Sequence, residues 1–338
     1  MKTRKLLKKL CAEYAVSGRE NEMSGIITEL MEKYAYEIKE LPTGTIIAEV
    51  GNKKAKRHIM LDAHIDRIGL VVTYINEEGF LKAEPVGGMD LRALAGTVVT
   101  VMGRENVTGV ICTLPPHLID KEAGFTRDMI WIDTGLSPER VNELVSVGDT
   151  AIVKSFFREL IGDKAAVSAL DNRAGCAVII RCAELVSKKL TDTRLSLVFS
   201  SQEETNESGA KTAAFLLEPD EAIVVDVGFA KQSGVPAHLS GKLGAGPIIS
   251  IAPSLSRKMT DGLIASAKEL GISFDYEVDG STTGTNADGI SITRGGIPCA
   301  VISVPEKNMH TQTETVSLDD IENTAKVIAG YITGGAEK

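Results

Sequence analysis

The chain has no surplus of positive charge. Its 37 Lys and Arg face 46 Asp and Glu, a formal net charge of −9, which argues against a general nucleic-acid-binding role. No apolar run approaches the ~18 residues that suggest a membrane span, so no membrane segment is expected. The basic opening, MKTRKLLKKLCAEYA, lacks the continuous apolar stretch of a secretion signal; Leu6, Leu7, Leu10, Cys11 and Tyr14 fall on one helical face instead. Cysteine pairs are missing too. The five cysteines, at 11, 112, 176, 182 and 299, are odd in number, lack motif spacing and sit in apolar surroundings, so reduced core thiols are expected. Internal repeats and low-complexity tracts are absent. What remains is the expectation of a soluble cytoplasmic enzyme or binding protein. Its 338 residues, 43% hydrophobic, suffice for a large core and roughly two domains.

Residues 3–14 and about 19–34 read as amphipathic helices, followed by strands in TIIAEVG and HIMLDAHID. From about 70 to 160 the texture changes to short β-rich runs such as LVVTYI, FLKAEPV, TVVTVMG and TAIVKSF, separated by Gly, Asn or Pro. That pattern predicts a small β-barrel-like module. After 165, helices (NRAGCAVIIRCAELVSKKL, AKTAAFLL, SRKMTDGLIASAKELG, LDDIENTAKVIAGYI) alternate with buried strands (RLSLVFS, AIVVDVGF, PIISI, CAVISVP), the signature of an α/β sheet. The simplest architecture is one α/β domain, residues 1–68 and 163–338, interrupted by a β insertion at 69–162.

Candidate chemistry sits where predicted strands end. In IMLDAHIDRIG, Asp62, His64 and Asp66 are spaced two apart, so in a strand they share one face. Burying two carboxylates and an imidazole together is costly unless something binds them. Asp171 opens a helix in SALDNRAG, Glu203 and Glu204 follow a buried strand, Asp226 ends another in IVVDVG, and His310 follows a third in NMHT. Taken singly, each has an ordinary reading: Asp171 as a helix N-cap, the two glutamates as a solvated loop, Asp226 as a turn cap, His310 as a polar surface or core histidine. His58, His117 and His238 are read as structural. The joint pattern points further, because ligand sites in open α/β sheets gather beyond the strand carboxyl ends. Two divalent metals can share a bridging carboxylate and a bridging water, and this donor set suits zinc, cobalt or manganese. Such chemistry also needs a carboxylate that is not a ligand to carry a proton. Glu204 then reads as ligand, Glu203 as base, and Asp66 as the carboxylate orienting His64. Asp62 is left as a buried carboxylate hydrogen-bonded to backbone or a neighbouring loop.

The ordered motifs AHIDRIG, SALDNRAGC, SSQEETNESGA, VVDVG and NMHTQTE resemble those of the TET-type dinuclear metalloaminopeptidases, the glutamyl and deblocking aminopeptidases also labelled endoglucanase or cellulase M. The resemblance runs nearly end to end, and GGMDLRALAGTVVTVMG with VTGVICTLPPHL resembles the family's inserted dimerisation module. It implies a mixed-sheet, zinc-peptidase-like catalytic domain. It implies one metal on His64 and Asp226, another on Glu204 and His310, Asp171 bridging, and Glu203 as general base and acid toward a metal-bridging hydroxide. A cis peptide at Asp171–Asn172, short peptide substrates, and a homo-oligomer built from dimers, up to a tetrahedral dodecamer, are implied as well. Some positions depart from the family pattern. Arg67 stands where Glu is usual, Asn172 replaces a second Asp, Asn206 and Ser208 stand where Gly and Arg are usual, and TNADG replaces a Thr-Asp-Ala type motif. All of these positions are expected to line the substrate site, and the four at 67, 172, 206 and 208 leave open a second activity, hydrolysis of N-acyl amino acids or other small amides.

Overall fold

The computed structural model describes residues 1–115, 117–118 and 124–334. At its centre are four parallel strands, in spatial order Thr193–Ser200, Arg57–His64, Glu221–Phe229 and Cys299–Lys307. Their sequences are nearly unbroken apolar runs because both faces are covered. Along Arg57–His64 the alternation is clean: Ile59, Leu61 and Ala63 enter one core and Met60 the other. The first core is closed by the helices Leu170–Val186, Arg257–Glu269 and Leu318–Gly334, the second by Ser208–Leu217 and Asn286–Ser291. Antiparallel strands flank this parallel centre on both sides, giving a mixed 11-stranded sheet.

The insertion is a closed antiparallel barrel of six strands, from Gly69–Ile75 to Thr150–Val153, with its own core around Leu70, Val72, Val99, Val101 and Ile132. Three boundaries differ from expectation, one of them the helix predicted over 3–14, which ends at Leu10. The strand Arg158–Leu160, assigned to the insertion by sequence, pairs with Lys164–Val167 in the large sheet. The predicted helix over 19–34 is a 3-10 turn, Glu20–Met23, followed by an α-helix, Ser24–Met31. Glu20 is turned inward there, its carboxylate accepting from the backbone N–H groups of Gly18 and Gln202. Among the described residues no helix is long and apolar enough to cross a membrane.

Candidate active site

The parallel strands deliver their carboxyl ends to one edge of the sheet, where such folds bind ligands. His64 closes Arg57–His64, Glu203 and Glu204 begin the short helix after Thr193–Ser200, Asp226 lies in Glu221–Phe229, and His310 follows Cys299–Lys307. Asp171 reaches the same point from the first turn of Leu170–Val186, and its peptide bond to Asn172 is cis. All of the predicted donors therefore converge on one cavity of about 500 Å³.

Within it the donors form two groups, His64 with Glu203 and Asp226, and Asp171 with Glu204 and His310, the donor atoms of each within 4.8 Å of one another. Asp171 joins the groups: Oδ1 lies 3.1 Å from His64 Nε2 and Oδ2 lies 3.1 Å from His310 Nε2. Asp226 Oδ1 and Glu203 Oε2 are each 3.7 Å from His64 Nε2, and Glu204 Oε2 is 3.4 Å from His310 Nε2. Both imidazoles are oriented from behind. His64 Nδ1 faces the backbone carbonyl of Asp66 at 3.2 Å, and His310 Nδ1 faces that of Gly88 at 2.5 Å. A proton on each Nδ1 leaves Nε2 as the free donor of an electron pair.

The electrostatics call for added positive charge. Burial, together with repulsion from Asp226 and Asp171, lifts Glu203 to about 9. Burial and Asp171 lift Glu204 to about 8, and Glu204 Oε1 is buried without a hydrogen-bond partner. Burial raises Asp226 as well. For the histidines burial acts downward, yet the surrounding carboxylates outweigh it; His64 is held well above its ordinary value and His310 rises to about 10. Asp171 also resists its burial, its two histidines holding it well below the usual carboxylate range. The protein alone thus keeps protons where divalent cations fit. Imidazole and carboxylate donors in two groups around a shared carboxylate match such ions by number, chemistry and orphaned oxygen.

Other residues hold these groups in place. Asp66 is fully buried, and its carboxylate accepts from the backbone N–H groups of Glu203 (3.0 Å) and Glu204 (3.2 Å) and from the Ser17 hydroxyl (2.6 Å). It lies 3.6 Å from His64 Nδ1, so its contacts to Ser17 and to the segment that carries the glutamates are shorter than that to the imidazole. Asp62 is hydrogen-bonded to Asn286, whose Nδ2 donates to Oδ2 at 2.8 Å, and burial pushes it up to about 7.

Three supports escaped the sequence reading. Glu314 accepts from the backbone N–H groups of Leu170 and Asp171, at 2.6 and 3.3 Å. The Gly87–Gly88 pair brings the barrel against the site: a Cβ on Gly87 would meet Glu204 at 3.3 Å, and one on Gly88 would meet His310 Nδ1 at 3.3 Å. Ser17 reaches in from the N-terminal segment. Glu314 and the glycine pair lie inside NMHTQTE and GGMDLRALAG, so their positions were visible but their tasks were not.

The expectation for the four divergent residues is corrected. Among the divergent positions Thr285 of TNADG lines the cavity, and none of Arg67, Asn172, Asn206 and Ser208 does. Arg67 is 5% exposed, and burial pulls it down to about 10 while Glu314 favours its charge. Asn172 is fully buried, donating to the Val225 carbonyl at 2.8 Å and accepting from Gly175 N–H at 2.9 Å. Ser208 donates to the Gln202 side chain, and Asn206 is exposed.

A mixed sheet with an inserted closed barrel, and paired histidine–carboxylate clusters at its strand ends, define a metallopeptidase. A family model described as M42 glutamyl aminopeptidase matches residues 44–327, and the chain belongs to that family; it is an aminopeptidase, a peptide-bond hydrolase. It is 30% identical to the lysyl aminopeptidase of Pyrococcus furiosus over 95% of this chain and 94% of that one. An aminopeptidase from the archaeon Desulfurococcus kamchatkensis superimposes with a TM-score of 0.91 at 30% identity, covering 98% of this chain and 94% of the other. The Pyrococcus horikoshii TET1 peptidase, described as assembling into a tetrahedron or a large octahedral shell, has a TM-score of 0.85 at 30% identity, with 97% and 98% covered.

Proposed function

We propose that the chain removes N-terminal residues from short peptides with two divalent cations, zinc or cobalt, and with manganese accepted by the same donors. His64 and Asp226 would hold one and Glu204 and His310 the other, with Asp171 within reach of both groups. The observation that carries this reading is Asp171, which presents one oxygen to each histidine at 3.1 Å.

The bound cations supply Lewis acidity and lower the pKa of water. The rest is side-chain work. Glu203 takes the proton from the attacking water and returns it to the leaving amine, a role suited to a carboxyl whose environment already favours the protonated form. Asp66 fixes the backbone from which Glu203 and Glu204 project. Glu314 fixes Asp171 through its backbone N–H, and Gly88 fixes His310.

Replacing Glu203 by Gln, with metal content retained, is expected to lower kcat on aminoacyl substrates by about 10²–10⁴-fold; undiminished hydrolysis refutes the assignment. The alternative, an amidohydrolase acting on N-acyl amino acids or other small amides, drew its support from residues 67, 172, 206 and 208. With those away from the cavity, nothing favours it. A panel of free and N-acylated substrates separates the two. By similarity to assembling relatives, we also assign the barrel a dimerisation role within a cytoplasmic homo-oligomer, with a tetrahedral dodecamer as the larger form; sedimentation velocity tests it.

A further inference from the structure

The catalytic cavity has an acidic wall that the two cation sites do not account for. Besides Asp171, Glu203, Glu204 and Asp226 it is lined by Glu207 and Glu277, and by no lysine or arginine. Two divalent ions offset the four charges of the first set. Glu207 has its own counter-ion, Lys211 Nζ at 3.4 Å. Glu277 has no ion-pair partner among the described residues, and the Ser250 hydroxyl stands 3.5 Å from its Oε2.

Glu277 projects from the short strand Asp275–Val278, which runs parallel to Ile248–Ile251 at the flank of the large sheet. That places it on the Asp226 side of the cavity. Gly228, two residues past Asp226, lines the same cavity beside Glu277. A Cβ there would lie 3.0 Å from Ile248 Cδ1 and 3.2 Å from Ser303 Cβ, with Glu277 Oε2 at 3.7 Å. A half-buried carboxylate facing a peptide-sized cavity, next to a glycine and without a cation of its own, is a receptor for positive charge. Burial and the nearby Asp279 already resist its ionisation, lifting it to about 7, as expected when the stabilising partner comes with the ligand.

We propose that Glu277 selects peptides whose N-terminal residue is basic, its carboxylate pairing with a lysine ammonium or arginine guanidinium while the scissile bond lies over the histidine–carboxylate cluster. The proposal rests on the aminopeptidase mechanism above and adds its substrate class. A carboxylate here repels an N-terminal Glu or Asp, so selectivity comes from rejection as well as attraction.

The test is a panel of Lys, Arg, Leu and Glu aminoacyl substrates on the metal-loaded enzyme and on Glu277→Gln and Glu277→Lys. Wild type is expected to favour Lys and Arg over Glu by at least about tenfold in kcat/KM. In Glu277→Gln the Lys-to-Leu ratio is expected to fall about tenfold, and in Glu277→Lys the preference turns toward Glu. Calorimetric binding of L-lysinol against L-norleucinol, which carry no bond to hydrolyse and are alike in length but for the ammonium, gives a readout apart from turnover. Lysinol is expected to bind more tightly to wild type, with the advantage lost in Glu277→Gln. A wild-type preference for Leu or Glu, or an equal loss on all four substrates in Glu277→Gln, overturns the assignment of Glu277 and leaves the aminopeptidase mechanism standing. Failure of the metal-loaded wild type to hydrolyse any of the panel overturns both.

Discussion

Asp66 makes no proposed metal bond, yet its replacement by Asn should be among the most damaging single-atom changes in the protein. Its carboxylate takes three donors: Glu203 N–H on Oδ1, and Glu204 N–H with the Ser17 hydroxyl on Oδ2. An Asn amide oxygen can keep the two donors on Oδ2. Its NH₂ group then faces the Glu203 N–H, donor against donor, in a site with no exposure to solvent. One hydrogen bond to a charged acceptor is lost and one buried N–H is orphaned, together roughly 2–4 kcal/mol, a large fraction of ordinary domain stability. A shift of Glu203 by even ~1 Å costs about 100-fold in rate. The loss should also depend on pH. Burial alone would raise Asp66, but the positive charge of nearby His64 and the hydrogen bonds from Ser17 and Glu203 outweigh it and hold the group below its ordinary value. A depressed carboxylate stabilises the fold above its unfolded pKa, about 4, and that contribution is lost as pH falls through the folded value. The gap between wild type and Asp66→Asn should therefore be full at neutral pH and narrow below about pH 4. Denaturant unfolding at several pH values, with kcat and metal content on the same samples, checks this. A variant within about 0.5 kcal/mol of wild type at pH 7, with kcat intact, refutes the argument.

Further outcomes follow from the same contacts. Loading of metal-free protein should release about four protons per chain at pH 7, because His64, His310, Glu204 and the proton-accepting Glu203 are all shifted toward their protonated forms. Affinity should fall as pH falls, and calorimetry in buffers of different ionisation enthalpy counts the protons; release of one or fewer contradicts the ligand set. Gly87→Ala, at φ +81 with a Cβ 2.7 Å from Ile68 Cγ2 and 3.3 Å from Glu204, should lower kcat by roughly tenfold or more by shifting a ligand, visible in steady-state kinetics with metal occupancy measured alongside. Asp62→Asn should stabilise the protein at pH 8 more than at pH 4. Asp62, lifted by burial to about 7, costs the fold increasingly as pH rises from its unfolded value through the folded one. Both Asp62 Oδ1 and Asn286 Oδ1 are buried without donors, and an Asn at 62 supplies one. Melting temperatures across that range give the sign directly.

The sequence revealed the donors because their positions follow from a local rule: apolar strand, then a polar residue at its carboxyl end. Four of the five such ends lie on the parallel centre of the sheet or just past it, so one topological principle brought them together. The elements that escaped are those without apolar periodicity. Glu37–Glu40 is a polar edge strand, Arg158–Leu160 is exposed at every residue, and the helix Pro138–Leu144 buries two side chains, Val141 and Leu144. The divergent residues misled for a related reason. Arg67 follows Asp66 in the chain, but its guanidinium is buried near Glu314, Arg173 and Cys11, which only the tertiary structure brings near. Asn172 likewise works behind the site, tying Leu170–Val186 to the strand that carries Asp226. Proximity in sequence to a catalytic motif is therefore a poor guide to proximity to substrate. The donors and their neighbours are held from behind by dense contacts, and freedom to vary what the cavity admits lies on elements at its rim. Glu277 is such a residue: it lies about fifty positions beyond Asp226 on a strand of four residues, outside every motif, and it lines the cavity.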